Sequence, residues 1–381
     1  MATIAKSKSI LSFSKVFLLS VGLWKLKLPF RHPAATIVYA LYSTFITLYF
    51  ATLAVSMSIK FGITLTTNFA DPDIFQQLSF LIVILTTHYV TVVIRSDGFI
   101  DLISQVEREE KRLMRSEVGE IVNSHHKEIR FSNVVSATFV VLTSCTGASL
   151  IWENFRSNMA VVGYNRKNNA SLERPILVDL YYFNVNKLHH ENFILVVTEI
   201  VLCFNTLVIA STKMIVYACI TFAASALRCL HIRFRKLGLQ RDDAFNDLKL
   251  LIDDHQTIIE FVKILNEFIK FLLLLEYFLN SLNVAAVSVQ FLTQEARLLL
   301  IPAFYLCFVL VQVFILGLTT DEIKVQSLAL SDALYASPWH QQSEEVKKMI
   351  LTVLTRTQRP LELTVGPFNA MTMQSALAVG F

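Results

Sequence analysis

Long apolar stretches alternate with charged stretches along the chain. The apolar stretches occupy residues 36–59, 74–94, 131–152, 193–223, 268–292 and 298–318, and a seventh begins at Gly366 and runs to Phe381. The first six are long enough to cross the roughly 30 Å hydrocarbon core of a bilayer, which takes a helix of about 20 residues. Since a bilayer tolerates only helices and closed barrels, the pattern predicts an all-α, polytopic membrane protein with seven transmembrane helices.

The same pattern divides the chain into four parts. These are a basic N-terminal segment (1–35), a six-helix transmembrane bundle (36–318), a polar segment (319–365) and the start of a last, truncated spanning helix (366–381). The N-terminal segment carries Lys6, Lys8 and Lys15 among apolar residues, which predicts either a helix lying on an anionic leaflet or a mobile basic tail. A signal peptide is disfavoured because Lys15 interrupts the apolar core.

Two of the charged stretches between spans have a helical pattern of their own. Residues 97–129 and 226–267 contain few Pro or Gly residues. They place apolar residues at helical spacing, for example Leu227, Leu230 and Phe234. We therefore expect the spanning helices to continue below the membrane.

The composition excludes a soluble domain. Hydrophobic residues make up 54% of the chain and charged residues 17%, whereas charged residues are about 25% of a typical soluble domain. The mean hydropathy of +0.52 agrees with this interpretation. The net charge of +4 gives no indication of a nucleic-acid partner, and the expected surroundings are the lipid bilayer.

The distribution of Lys and Arg predicts the orientation. Most of these residues lie in 1–35, 95–130, 224–267 and 319–365. The positive-inside rule then places the N-terminus and these segments in the cytoplasm. The sequon Asn169-Ala170-Ser171 falls in segment 153–191, which this topology puts outside, so Asn169 is a candidate glycosylation site.

No arrangement of residues indicates an enzyme. The sequence has no Gly-rich phosphate loop and no Cys/His cluster with metal-ligand spacing, so no catalytic residue, cofactor or metal ion is expected. Ionisable residues within spans are costly and are therefore functional candidates. Glu199 and Glu276 leave open a secondary transporter that uses them as an ion relay, although a hydrogen bond between helices is the plainer interpretation of Glu199. Lys213 in span four is expected to snorkel to the inner interface.

The outer halves of spans two to six predict a ligand cavity. They combine aromatic and aliphatic residues with few polar groups, as cavities for small molecules do. Ser144, Gly147 and Ile151 lie at i, i+3 and i+7 and therefore share one face of span three. Helix packing is the alternative interpretation for every member of the set. The candidate ligand-binding residues are Phe75, Ser79, Phe80, Ser144, Gly147, Ala148, Ile151, Trp152, Val197, Val201, Phe204, Asn280, Asn283, Val287 and Phe291.

Short motifs follow the sixth span. They are Ser327, Ala333-Leu334-Tyr335 with Trp339, Arg359-Pro360-Leu361 and Leu363-Thr364-Val365-Gly366. A further motif, Asp254-His255-Gln256, comes before the fifth span. Together they resemble the cytoplasmic signature of the insect odorant receptors. The chain departs from that family at Val365, where the family usually has Ala. It also departs at its end, since the family's last helix continues past the position of Phe381 into a pore segment.

The resemblance implies a function. Members of this family are odorant-gated, non-selective cation channels in the plasma membrane of sensory dendrites. They assemble as tetramers with an obligate co-receptor, and the gate corresponds to positions beyond Phe381. A tuning subunit that binds a small volatile odorant is favoured, because residues 224–267 lack the co-receptor's longer insert. A gustatory receptor channel of the same topology is an alternative. The implied subunit-anchor residues are Ser327, Ala333, Tyr335, Trp339, Arg359 and Pro360.

Overall fold

A computed structural model describes most of the chain. The described residues are 9–25, 33–67, 74–168, 170–172, 174, 191–236, 244–293, 300–372 and 374. They form the helices α1 (Ser12–Ser20), α2 (Pro33–Thr67), α3 (Ile74–Arg95), α4 (Asp97–Met114), α5 (Gly119–Asn168), α6 (Glu191–Arg235), α7 (Ala244–Thr293), α8 (Leu300–Tyr335) and α9 (Glu344–Thr357), with a short 3-10 helix at Trp339–Gln341. These residues contain no strand beyond one isolated bridge, so the all-α prediction is confirmed.

Each of the first six predicted spans coincides with one continuous helix, apart from residues 298 and 299 of the sixth span, which lie outside the described residues. Five described helices, α2, α3, α5, α6 and α8, are long and apolar enough to cross a membrane. The fifth predicted span lies in α7, which is helical throughout but carries Lys270 and Glu276 within the apolar run. The polytopic membrane fold is therefore confirmed, while the full count of seven spans stays a prediction.

Helix α6 is the centre of the bundle. Between residues 210 and 227 every side chain except Lys213 is buried. Helices α1, α3, α4, α5, α7 and α8 all contact α6. A helix that is buried on all sides in this way belongs to the interior of a helical bundle.

The helices continue past the predicted spans, as expected for residues 97–129 and 226–267. The first stretch is divided between α4 and α5 by a turn at 115–118, and the second continues α6 and starts α7. The polar segment 319–335 likewise extends α8 without a break. The charged pattern of these stretches therefore marks helices that pack against one another outside the apolar region.

Ion pairs join these helix extensions. Asp254 of α7 accepts a hydrogen bond from Arg112 of α4 at 2.6 Å and also forms an ion pair with Arg233 of α6. Arg228 of α6 pairs with both Glu128 of α5 and Glu322 of α8. Two charge clusters therefore connect α4, α5, α6, α7 and α8, and networks of this kind contribute more than isolated surface pairs do.

His255 is buried next to this charge cluster. Its side chain is only 5% exposed. Burial, with a smaller contribution from Arg356 of α9, lowers the pKa of His255 to about 4. The imidazole is therefore neutral at cytosolic pH and packs as a polar core residue.

The N-terminal segment packs on protein. Ile10, Leu11 and Leu18 are at most 1% exposed, and α1 contacts α5 and α6. The backbone N–H of Ile10 donates to the carboxylate of Glu110 in α4 at 2.7 Å. The buried apolar side chains of 9–25 therefore cover other helices of the same chain, while contact of this segment with a leaflet stays a prediction.

The segment after span three also differs from the expectation of a long loop over 153–191. Helix α5 continues to Asn168. Beyond it, the side chain of Asn165 donates to the backbone oxygen of Leu172 and accepts from the backbone N–H of Leu172. The candidate glycosylation site Asn169 lies outside the described residues.

The last predicted helix does not start at Gly366. Residues 364–370 form a turn closed by the bridge between Thr364 and Ala370, and Gly366 has a φ of 59°. The Gly366 N–H donates to the backbone oxygen of Lys270 in α7 at 2.8 Å, and Asn266 of α7 accepts from the Thr364 N–H at 2.8 Å. These bonds to α7 hold the chain in a turn where the apolar run alone predicts a helix, and residues 375–381 lie outside the description.

We expect Gly366→Ala to destabilise the protein. The left-handed backbone conformation costs a residue with a side chain about 1–2 kcal/mol, and the new Cβ would lie 2.9 Å from Cδ2 of Leu274. The measurement is the melting temperature of the detergent-solubilised protein. Gly62→Ala is the matched control, because Gly62 is helical and a Cβ added there would meet no atom within 4 Å. Equal melting temperatures for the two variants would contradict the role given to Gly366.

Candidate ligand cavity

Six helices line a cavity of about 180 Å³. Helices α3, α5, α6, α7 and α8 form most of its wall, and α2 contributes Leu53. A dry cavity of roughly 150 Å³ is enough to bind a molecule as large as benzene. The space therefore suits a small organic ligand.

The outer part of the cavity is apolar. In the predicted orientation, the outward wall consists of side chains such as Phe80, Leu150, Val201 and Leu202. Leu202 also belongs to an apolar cluster with Leu53 and other residues of α2 and α3. This end offers contact surface for hydrocarbon parts of a ligand.

The inner part of the cavity carries an ion pair. Lys213 of α6 and Glu276 of α7 both line the space, and Lys213 Nζ lies 3.6 Å from Glu276 Oε1. The two side chains are only 16% and 10% exposed. The expectation that Lys213 snorkels to the interface is therefore wrong, because the buried carboxylate of Glu276 gives the ammonium group a partner within the bundle.

Three buried polar atoms of the cavity wall have no hydrogen-bond partner among the described residues. They are the hydroxyls of Thr86 and Thr143 and the amide oxygen of Asn205. The neighbouring Thr146, by contrast, donates to a carbonyl of its own helix. A buried polar atom without a partner costs free energy, so these atoms are available to a ligand or to water.

Four predicted ligand-binding residues line the cavity: Phe80, Gly147, Val201 and Asn280. On α5, the wall is formed by Thr143, Thr146, Gly147 and Leu150. The predicted face of Ser144, Gly147 and Ile151 is therefore displaced by one residue, which is a rotation of about 100° for a helix with 3.6 residues per turn. Only Gly147 belongs to both faces.

The other predicted residues lie elsewhere. Ser144 and Ala148 are exposed, as is Trp152 with 62% of its surface. Phe204 packs against Tyr49 and Phe50 of α2. The described residues that are absent from the cavity lining are Ser79, Ser144, Ala148, Ile151, Trp152, Val197, Phe204 and Val287. The side chains of Phe75, Asn283 and Phe291 lie outside the description.

The sequence carried a usable signal for several residues that the prediction missed. Thr143 and Thr146 are polar residues inside an apolar span, spaced three apart on one face. Asn205, Thr212 and Lys213 follow the same helical rule along α6. Polar residues at this spacing, more than aromatic ones, mark the face that the structure turns toward the cavity.

Glu199 takes part in a hydrogen bond between two helices. Its Oε1 accepts a hydrogen bond from Asn154 Nδ2 of α5. Asn154 is only 6% exposed. The contact links α6 to α5 outside the residues that line the cavity, and it matches the interpretation of Glu199 as a helix-packing residue.

A second cavity, of about 270 Å³, lies between α4, α5, α6 and α7, on the side that the predicted orientation places in the cytoplasm. Its polar wall includes Arg112, Arg233 and Asp254. Since both arginines already pair with Asp254, the charges of this cavity are satisfied within the chain. The cavity at Lys213 and Glu276 is therefore the better candidate for a ligand.

Comparison with known proteins gives concordant matches along the sequence. The family model described as "7tm Odorant receptor" matches residues 72–380. Odorant receptor 10 of Aedes albopictus is 29% identical over 126 residues, which are 32% of this chain and 33% of that protein. Odorant receptor Or2 of Anopheles gambiae is 27% identical over 168 residues, 41% of this chain and 44% of that protein. The chain thus spans less than half the length of either relative.

The fold has experimental counterparts. The olfactory receptor OR5 of the insect Machilis hrabei superposes with a TM-score of 0.76 at 18% identity, covering 96% of this chain and 93% of that one. The same receptor in complex with eugenol gives a TM-score of 0.79 at 17% identity, covering 97% and 94%. The arrangement of helices is therefore that of a known membrane receptor fold.

We expect removal of one member of the buried ion pair to be more harmful than removal of both. Glu276→Ala leaves the Lys213 ammonium buried without a counter-charge, at a cost of about 3 kcal/mol. The double variant Lys213→Met/Glu276→Leu should recover most of the lost melting temperature. Glu267→Ala serves as control, since its pair with Lys270 leaves Glu267 60% exposed. A single variant as stable as the double one would contradict the pairing.

Proposed function

Because the chain belongs to the odorant receptor family, we propose that it is the ligand-binding tuning subunit of a heteromeric, odorant-gated, non-selective cation channel. The observation that carries the proposal is the cavity between α3, α5, α6, α7 and α8. A cavity with apolar walls and a few fixed polar groups is what a small volatile molecule requires. The olfactory receptor of the same fold that was solved with eugenol supports a small organic ligand.

Assembly with a co-receptor is supported by the cytoplasmic surface. Exposed apolar side chains lie on α8 and α9, with Tyr335 70% exposed and Leu351 52% exposed. Clustered exposed apolar residues favour a protein interface. Of the anchor candidates, we assign contact with another subunit to Tyr335 and Arg359, which are exposed; Trp339 and Pro360 are only partly exposed, and Trp339 packs against the core.

Two of the anchor candidates have internal roles instead. Ser327 Oγ accepts the backbone N–H of Leu361 at 3.0 Å. Ala333 is only 3% exposed. Ser327 therefore fixes the segment after α9 against α8, and Ala333 packs in the core of the same chain.

Helix α7 offers a physical connection between the cavity and the end of the chain. Glu276 lines the cavity, and one to three turns earlier Lys270 and Asn266 hold the turn at 364–370. A ligand that binds one arrangement of α7 more tightly shifts the population toward it. In this mechanism a displacement of α7 is transmitted to the residues after the turn, which lead toward the gate.

The orientation with a cytoplasmic N-terminus and a position in the plasma membrane complete the proposal. The orientation follows from the distribution of Lys and Arg, and the plasma membrane is the location that the family implies. The rival transporter requires Glu276 to exchange ions, whereas Glu276 has Lys213 as a fixed counter-charge. The gustatory receptor alternative shares the topology, and the family match favours the odorant receptors.

Whole-cell recording tests the proposal. Cells that express the chain with an insect odorant co-receptor should show cation currents in response to a subset of a volatile panel, and cells with the chain alone should show none. Responses identical to those of the co-receptor alone would contradict the tuning role. Stoichiometric substrate flux without channel conductance would favour the transporter.

We expect Leu150→Trp to reduce odorant sensitivity. The larger side chain occupies cavity space, so the half-maximal concentration of the best odorant should rise about tenfold or more, as a loss of 1.4 kcal/mol or more in binding would cause. Trp152→Leu on the same helix is the control, because Trp152 points away with 62% exposure. Equal effects of the two variants, at equal surface expression, would place the ligand outside this cavity.

A further inference from the structure

We propose that the inner end of the cavity selects uncharged odorants that carry a hydroxyl group, namely alcohols and phenols, and binds that group between Lys213 and Glu276. The inference rests on the proposed odorant-receptor function and specifies its ligand class. It follows from the geometry of the ion pair, from the charge balance of the site and from the polarity of the two ends of the cavity.

The ion pair is too far apart for a hydrogen bond and has unused capacity. The distance of 3.6 Å between Lys213 Nζ and Glu276 Oε1 exceeds the usual 2.7–3.2 Å of an N–H···O bond, by roughly half an ångström or more. Neither side chain makes a hydrogen bond to another described residue. The ammonium group has three donors and the carboxylate several acceptor sites. A ligand group placed beside the pair therefore meets both a donor and an acceptor.

A hydroxyl group is complementary to both members of the pair. Its oxygen accepts a hydrogen bond from Lys213, and its O–H donates one to Glu276. A carbonyl or ether oxygen only accepts, so it leaves the carboxylate without a new partner. Hydrogen bonds to charged groups are stronger than those between neutral ones, which makes this difference between head groups large.

The charge balance disfavours charged ligands. Lys213 and Glu276 neutralise each other, and both are largely buried. A carboxylate or ammonium ligand would bring an uncompensated charge into this site, which is costly away from water. The site therefore favours an uncharged head group although it is itself built from two charges.

The other described polar residues of the cavity wall do not hydrogen-bond to Lys213 or Glu276. The Tyr217 hydroxyl donates to the backbone oxygen of Gln312 at 3.4 Å, so it is committed within the protein. The Thr143 hydroxyl, 7% exposed, lines the same cavity without a partner among the described residues. It offers a further donor or acceptor to a polar head group.

The apolar end of the cavity determines the orientation of the ligand within it. Along α6 the cavity wall extends from Val201 to Lys213 and beyond, which is roughly 18 Å at a rise of about 1.5 Å per residue. The hydrocarbon part of the odorant then lies toward Val201 and Phe80, and the hydroxyl lies at the ion pair. An elongated molecule with one polar end fits this arrangement.

The test compares head groups on a common carbon skeleton. Cells that express the chain with a co-receptor are exposed to n-octanol, its methyl ether, octanal, octane, octanoate and octylamine, and to phenol, anisole and toluene as an aromatic series. The alcohol or phenol should be the most potent member of the series that activates the receptor. The matched ether, which loses only the donor, should be weaker by about tenfold or more. This comparison needs no variant and therefore does not depend on a variant folding.

A double variant identifies the residues. In Lys213→Met/Glu276→Leu, the preference for the hydroxyl compound over its hydrocarbon should fall by roughly 10–100-fold. Lys249→Met, an exposed position on the cytoplasmic part of α7, should leave the preference unchanged. Thr143→Val should reduce it by a smaller factor than the double variant does.

The outcomes separate the inference from the function on which it rests. A wild-type preference for the ether, hydrocarbon, acid or amine overturns the inference and leaves the odorant-receptor function standing. The same holds if the double variant shifts the potency of every compound equally, because the pair then acts on packing or gating. A complete absence of odorant-evoked current with the co-receptor overturns the proposed function and the inference together.

Discussion

Burial on all sides of the α6 stretch between residues 210 and 227 is the constraint from which the rest of the structure follows. In a bilayer there is no hydrophobic drive for helices to associate, so close packing of small residues and interhelical polar contacts must hold them together. The stretch Ala218 to Leu227 supplies small residues, with Ala223, Ala224 and Ser225 in sequence. Neighbouring helices approach this stretch closely. The six helices that contact α6 are arranged around it.

Polar contacts then divide the bundle into two regions. On the side that the predicted orientation places in the cytoplasm, Arg228 and Asp254 each pair with two partners, and these pairs leave few charges for a ligand. Farther out, Lys213 and Glu276 pair loosely at 3.6 Å, and the wall beside them keeps hydroxyls without partners among the described residues. The two regions therefore differ in how many of their polar groups have partners within the chain. The region with paired charges holds the subunit together, and the region with unpaired polar groups is the one we propose for ligand binding.

Periodicity was sufficient for most of the fold. The apolar runs predicted six helices, and their charged continuations predicted the helix extensions, since both properties are local to each segment. The turn at Gly366 was not predictable in this way, because it depends on bonds to Lys270 and Asn266 of α7. The packing of the N-terminal segment likewise depends on a residue distant in the sequence, Glu110.

The cavity was predicted less well than the helices around it. Of the predicted residues, Phe80, Gly147, Val201 and Asn280 line the cavity, and its role as a ligand site stays a prediction. The rotation of α5 about its axis was not, because a span with apolar residues on every side gives no strong preference for one face. The role of Lys213 was missed for a related reason: its partner lies 63 residues away in the sequence, on α7. Pairwise contacts of this kind leave no trace in the pattern of a single helix.

An experimental structure of the chain in complex with its co-receptor and its most potent odorant tests the central claim most directly. We predict ligand density between α3, α5, α6, α7 and α8, with the polar end of the odorant beside Lys213 and Glu276 and its hydrocarbon part toward Val201. Density on the far side of α5 against Trp152, or a cavity filled by rearranged side chains while the odorant lies elsewhere, would contradict it.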